Sequence, residues 1–272
     1  MNLLSELAEA AARLRRGARR LRGLVMVAML AALMMTVATA WFVGRGTGNA
    51  SGGDQTVGDV VRVGVVDGAS VPDYEQRSRA ELADLVRGGS PGELVALVTL
   101  RGYLTPDQLA PALGGVALTQ VYARVPEPHL QTQIVRLDAY RVPDDVTGGM
   151  DRVAAKKDAE AADYARLAAN LGTTDSEREL RAVYTKGHQI AAVEAAGYRS
   201  HCACVYAAVV RATPAALDQL ARRGEVRVVD PTPEVRRLDR AVFLPPLPEQ
   251  RERVTAPDNS GQPTASPAVA RR

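Results

Sequence analysis

The chain has 272 residues, 46% of them hydrophobic and only 4% aromatic, with 34 Lys+Arg against 31 Asp+Glu for a net charge of +3. That apolar fraction excludes a wholly disordered protein. Two cysteines exclude both a disulfide scaffold and a four-thiolate zinc module.

The chain opens on a basic leader, residues 1–23. It carries Arg13, Arg15, Arg16, Arg19, Arg20 and Arg22 against Glu6 and Glu9, so the excess charge of the whole protein lies there. A nucleic-acid binder carries its excess on the folded domain, so nucleic acid is excluded as a partner. Only Lys156, Lys157 and Lys186 are lysines among the basic residues. With the abundance of Ala, Val and Gly, this looks like the bias of a GC-rich bacterial genome.

Leu24 to Val43 follows without a charge. At about 1.5 Å rise per residue a helix of that length spans roughly 30 Å, the thickness of a bilayer core. Trp41 and Phe42 fall at its far end, where amphipathic rings favour the headgroup layer. Arg15, Arg16, Arg19, Arg20 and Arg22 precede it, so the positive-inside rule predicts a cytoplasmic N-terminus and an extracytoplasmic remainder. Ala38-Thr39-Ala40 also fits a signal-peptidase site, but the apolar stretch exceeds a signal core, which favours a retained anchor.

Residues 44–58 are glycine-rich and read as a flexible tether. The folded domain is predicted over 59–244, and the proline-rich remainder, 245–272, as a disordered tail. Within the domain, Val60–Val66 reads as a strand ended by Asp67-Gly68, and Asp73–Val86 as a helix. Leu94–Leu100 is a strand, Thr105-Pro106 an N-cap with proline at the first helical position, and Val116–Val125 a returning strand. Gln133–Val142 alternates as a further strand, with Asp144-Asp145 after Pro143 read as a turn. Asp151–Leu171 and Asp175–Ala196 read as a helical hairpin, the second helix started by a capping box at Thr174 and Glu177. Its apolar sides carry Val153, Ala161, Tyr164, Leu167, Ala168 and Leu171 on the first helix and Leu180, Val183, Tyr184, Ile190 and Val193 on the second. The expectation is that they pack on the domain's own sheet, the alternative being that the hairpin pairs with itself in a second copy. Cys204–Val210, Thr213-Pro214 with its helix, and Val226–Val229 repeat the strand–helix–strand order. The predicted fold is therefore α+β: an N-terminal transmembrane helix followed by a ferredoxin-like (split βαβ) sandwich with an inserted helical hairpin.

Val209 to Pro231, with Thr213-Pro214, Leu217, Leu220-Ala221, Val226 and Val228-Val229, resembles the end of a subtilisin-propeptide or proteinase-inhibitor module. That resemblance implies a ferredoxin-like fold and protease binding. As a whole the chain is similar to the uncharacterised single-pass membrane proteins of high-GC Gram-positive bacteria, which implies no activity.

Chemistry-bearing residues are sparse. His201-Cys202-Ala203-Cys204, with His188 upstream, offers ligands for a soft metal, but strand alternation would turn His201 away from the cysteines. Cys202 and Cys204 are expected as a thiol pair or disulfide outside the cell. No Gly-x-Ser-x-Gly, Ser-x-x-Lys or phosphate-binding glycine loop occurs. The expectation is a non-enzymatic, membrane-anchored protein of the bacterial envelope, without cofactor or metal, whose partners are the lipid bilayer and an envelope protein. The alternatives are a protease-inhibitor or propeptide-like module, or a thiol-redox protein using Cys202 and Cys204.

Overall fold

The computed structural model describes residues 60–89 and 92–256. The leader, the apolar stretch and the tether, with Arg15, Arg16, Arg19, Arg20, Arg22 and Trp41, and the last residues of the tail, 257–272, lie outside the described residues.

The elements run β1 (Val61–Gly64), α1 (Val71–Arg87), β2 (Leu94–Leu104), α2 (Pro106–Leu113), β3 (Ala117–Ala123), β4 (Val135–Asp138), α3 (Asp144–Ala169), α4 (Asp175–Arg199), β5 (Val205–Ala212), α5 (Pro214–Ala221), β6 (Val226–Thr232) and β7 (Ala241–Leu244). Proline opens α2 and α5 after Thr105 and Thr213, where its missing N–H costs nothing and its fixed φ suits the first turn. Ser70 and Thr174 accept from the third residue of α1 and α4.

The main sheet is five-stranded, in the order β4-β3-β5-β2-β6, and every adjacent pair is antiparallel. Helices cover one face. Leu109 and Leu113 of α2, Leu217 and Leu220 of α5, Met150 of α3 and Tyr198 of α4 meet Val98, Val121, Ala208 and Val210 there. The other face carries Leu97, Tyr206 and Val209, against which Val63 of β1 and Phe243 of β7 pack. β1 and β7 form a separate parallel pair.

The expectation of an N-terminal transmembrane helix followed by a ferredoxin-like (split βαβ) sandwich with an inserted helical hairpin is corrected for the described residues; the stretch 24–43 read as the membrane helix lies outside them. The fold is α+β with two sheets, and no helix among the described residues is long and apolar enough to cross a membrane. β4, at the position expected for a further strand over 133–142 but only four residues long, extends the sheet at β3, and β1 and the unexpected β7 cover the second face of the sheet. A short β7 next to a proline-rich stretch has little periodic signal, which is why it escapes a pattern reading. Beyond β7 the chain stays on the domain: Gly68 N donates to Val254 O (2.8 Å), Val71 N to Glu252 O (2.9 Å), and Leu247 is buried. Asp144-Asp145 is not a turn but the first turn of α3, where Asp145 accepts from the backbone N–H groups of Tyr140 and Arg141.

Candidate functional site

Cys202 and Cys204 form a disulfide, with their Cα atoms 5.2 Å apart. They do not sit on a strand. The pair spans the turn between α4 and β5, which His201 enters with φ of 50°. Cys202 N donates to Gly197 O (3.2 Å), Cys204 N to Leu104 O (3.1 Å), and Arg124 N to Cys204 O (2.9 Å). A Cβ at Gly197 would come within 3.0 Å of Val125 and 3.6 Å of the Cys202 sulfur, so a glycine inside α4 lets the turn close. The histidines are engaged elsewhere: His201 Nε2 lies 2.9 Å from Asp151 and His188 Nδ1 lies 2.9 Å from Ala161 O. Among the described residues no group of three or more His, Cys, Asp or Glu is placed to hold a metal ion.

Beside this turn the ends of β2, β3 and β5 bring together Arg124, Tyr103 and Tyr206. The Arg124 side chain is 4% exposed. Its Nη1 donates to Glu249 (2.6 Å) and to the Tyr103 hydroxyl (3.2 Å), and its Nη2 donates to Leu130 O (2.8 Å). Tyr103 meets Tyr206 edge to face, with ring centroids 5.9 Å apart. Burial pushes the Tyr198 and Tyr206 hydroxyls above the ordinary tyrosine range, so both stay neutral. The cluster binds the C-terminal segment to the sheet through an acid and a base far apart in sequence. Neither Arg124 nor Glu249 lies in a motif that a sequence reading could pick out.

The third feature is the hairpin of α3 and α4. Its base is buried through Val146, Met150, Ala154, Lys157 and Ala161 on α3 and through Ala191, Glu194, Ala195 and Tyr198 on α4. From 162 to 190 no residue is buried. In this arm Tyr164 and Tyr184 stack with centroids 6.2 Å apart, and Tyr164 lies against Gly187, where a Cβ would meet the ring at 3.0 Å. Leu167, Leu180 and Val183, expected to pack on the sheet, are exposed by 42%, 40% and 63%. The periodicity that marks them as apolar is real, but the sheet ends before it reaches them.

Most charges on the arm are satisfied locally. Arg166 pairs with Asp163 and Arg178 with Asp175. Arg181 donates to the carbonyls of Ala168, Leu171 and Gly172. Glu177 caps Thr174.

Comparison of the chain with protein-family models, curated proteins and solved structures finds no match.

Proposed function

We propose that this protein is a non-enzymatic binding protein of the bacterial cell envelope, anchored in the membrane through residues 24–43, with a cytoplasmic N-terminus and an extracytoplasmic domain. The observation that carries the binding reading is the helical arm, residues 162–190, with no buried residue and with Leu167, Leu180 and Val183 exposed. Burying such apolar side chains stabilises a complex by roughly 25 cal/mol per Å² removed from water, so an arm that leaves them exposed is suited to a partner. The Cys202–Cys204 disulfide supports the extracytoplasmic placement, because disulfides persist in oxidising compartments.

The experiment is photo-crosslinking in intact cells. A photoreactive amino acid replaces Val183 in the full-length chain, with Arg87 on exposed α1 as the control position. The reading expects capture of a protein at 183 and none at 87. Equal labelling at the two positions, or none at either, overturns it.

A further inference from the structure

Resting on that binding reading, we propose that the partner of the arm is a second copy of this chain, the two hairpins pairing face to face as a four-helix bundle. Tyr164 and Tyr184 mark the line along which α3 and α4 meet. At 3.6 residues per turn Leu167 is turned about 60° from that line, Leu180 about 40° and Val183 about 100°, all in the same rotational sense. In an antiparallel pair of helices, equal senses of rotation fall on the same side. The three side chains therefore share one face of the arm.

Charge and area select the occupant. Residues 162–190 carry Arg166, Arg178, Arg181 and Lys186 against Asp163, Asp175, Glu177 and Glu179, so the arm has no net charge. The Arg166–Asp163 and Arg178–Asp175 pairs each close within one helix. A strongly basic or acidic partner gains nothing from such a surface, whereas a second copy meets it without like-charge repulsion. The segment of α4 from 175 to 190 is about 24 Å long, and two helices side by side are about 20 Å wide, giving about 480 Å² per copy. The total of about 1,000 Å² stands at the lower edge of specific interfaces. A two-fold axis doubles every apolar contact of the face, and antiparallel hairpins pack in this way in four-helix bundles. The expected dimer is weak in dilute solution and is favoured where copies are confined to one membrane.

The test is sedimentation equilibrium of the full-length protein in density-matched detergent, from about 1 to 100 μM, the range that resolves a weak dimer. A reversible monomer–dimer equilibrium is expected. Val183→Glu should weaken it by about tenfold or more, through desolvation of facing carboxylates. Because Val183 is exposed, thermal unfolding followed by circular dichroism should stay unchanged, which separates lost pairing from lost folding. A monomer at every concentration overturns the inference, as does a dimer indifferent to Val183→Glu. If the protein is monomeric while residue 183 crosslinks a different protein, or a segment of its own chain, the second copy is the wrong occupant. Crosslinking to a different protein leaves the binding reading standing. No crosslink at all removes both.

Discussion

Lys157 Nζ lies 2.7 Å from Glu194 Oε2 at the base of the hairpin, with the two side chains 5% and 2% exposed. Glu194 also accepts from the backbone N–H of Gln133, and Lys157 reaches Glu160 at 2.9 Å. The pair therefore ties α3, α4 and the segment before β4 at one point. Burial works against the lysine's charge, but the hydrogen bonds and charges of Glu194 and Glu160 outweigh it and hold its pKa above the ordinary value. A raised lysine pKa contributes stability at neutral pH that is lost only as pH rises through the folded value, in the alkaline range.

Removing one partner leaves the other buried and unpaired. Lys157→Met should cost about 3–5 kcal/mol. Glu194→Gln keeps an acceptor for Gln133 and should cost less. The double variant Lys157→Met/Glu194→Gln should fall well short of the two single losses combined, since neither charge is then stranded. Urea denaturation of the full-length protein in detergent, followed by the helical circular dichroism signal, measures all three.

The disulfide closes a loop with a single intervening residue, Ala203. In the chain-entropy model so short a loop stabilises by roughly 1–2 kcal/mol. Cys202→Ser/Cys204→Ser should therefore lower stability by about that amount and leave the fold intact. Thiol alkylation of the untreated protein, isolated from membranes, should find no reactive thiol before reduction and two after it. Two reactive thiols before reduction would contradict the bond.

Much of the fold is legible in the sequence because its signals are local. Thr105-Pro106 and Thr213-Pro214 mark α2 and α5, and Thr174 with Glu177 marks α4, since capping satisfies N–H groups within one turn. What is not legible depends on partners distant in the chain. β7 exists because β1 accepts it as a neighbour, and Arg124 is anchored by Glu249. Periodicity identifies Leu167, Leu180 and Val183 as a face but not what that face meets. The strand expected at Cys204 starts at Val205 because the disulfide turn takes the preceding residues.

Asp230 on β6 accepts a hydrogen bond from Ser78 Oγ (3.2 Å) on α1. Burial raises its carboxyl above the usual range, and Glu234 adds to this, while the hydroxyls of Tyr74 and Ser78 and the charge of Arg77 oppose it. Glu81, on the same helix as Ser78, is raised by burial and by the charges of Asp230 and Glu234. A carboxyl with a raised folded pKa contributes stability below its unfolded value, and that contribution is lost as pH rises through the folded value. At neutral pH the Asp230 carboxyl therefore opposes folding. Asp230→Asn, which retains an acceptor for Ser78, should raise the melting temperature at pH 7. The gain should shrink as pH falls through the acidic range and vanish once the native aspartate is protonated in both states. Melting curves of the two proteins at a series of pH values check it.

Two arginines, Arg124 buried and Arg227 partly buried, hold the segment after β7. Arg124 takes Glu249, while Arg227 pairs with Glu75 (2.6 Å) and donates to the carbonyls of Leu247 (3.2 Å) and Gln250 (2.8 Å). Burial works to raise the Glu75 carboxyl, but hydrogen bonds from Arg227 and Arg79 outweigh it and hold it below the usual range. Arg251 is exposed within this segment and is a site for trypsin. Cleavage there requires local opening, and its rate follows the population of the open state when closing is fast. Loss of a charge-assisted clamp worth about 1.5–3 kcal/mol raises that population by about tenfold or more. Arg227→Met and Arg124→Met should each speed cleavage after Arg251 by at least that factor in the folded full-length protein. Glu249→Gln, which leaves the Arg227 contacts in place and still offers Arg124 an oxygen, should have a smaller effect. Equal cleavage rates in all four proteins would show that the segment is held by the burial of Leu247 and its backbone hydrogen bonds to 68–71, and not by the arginines.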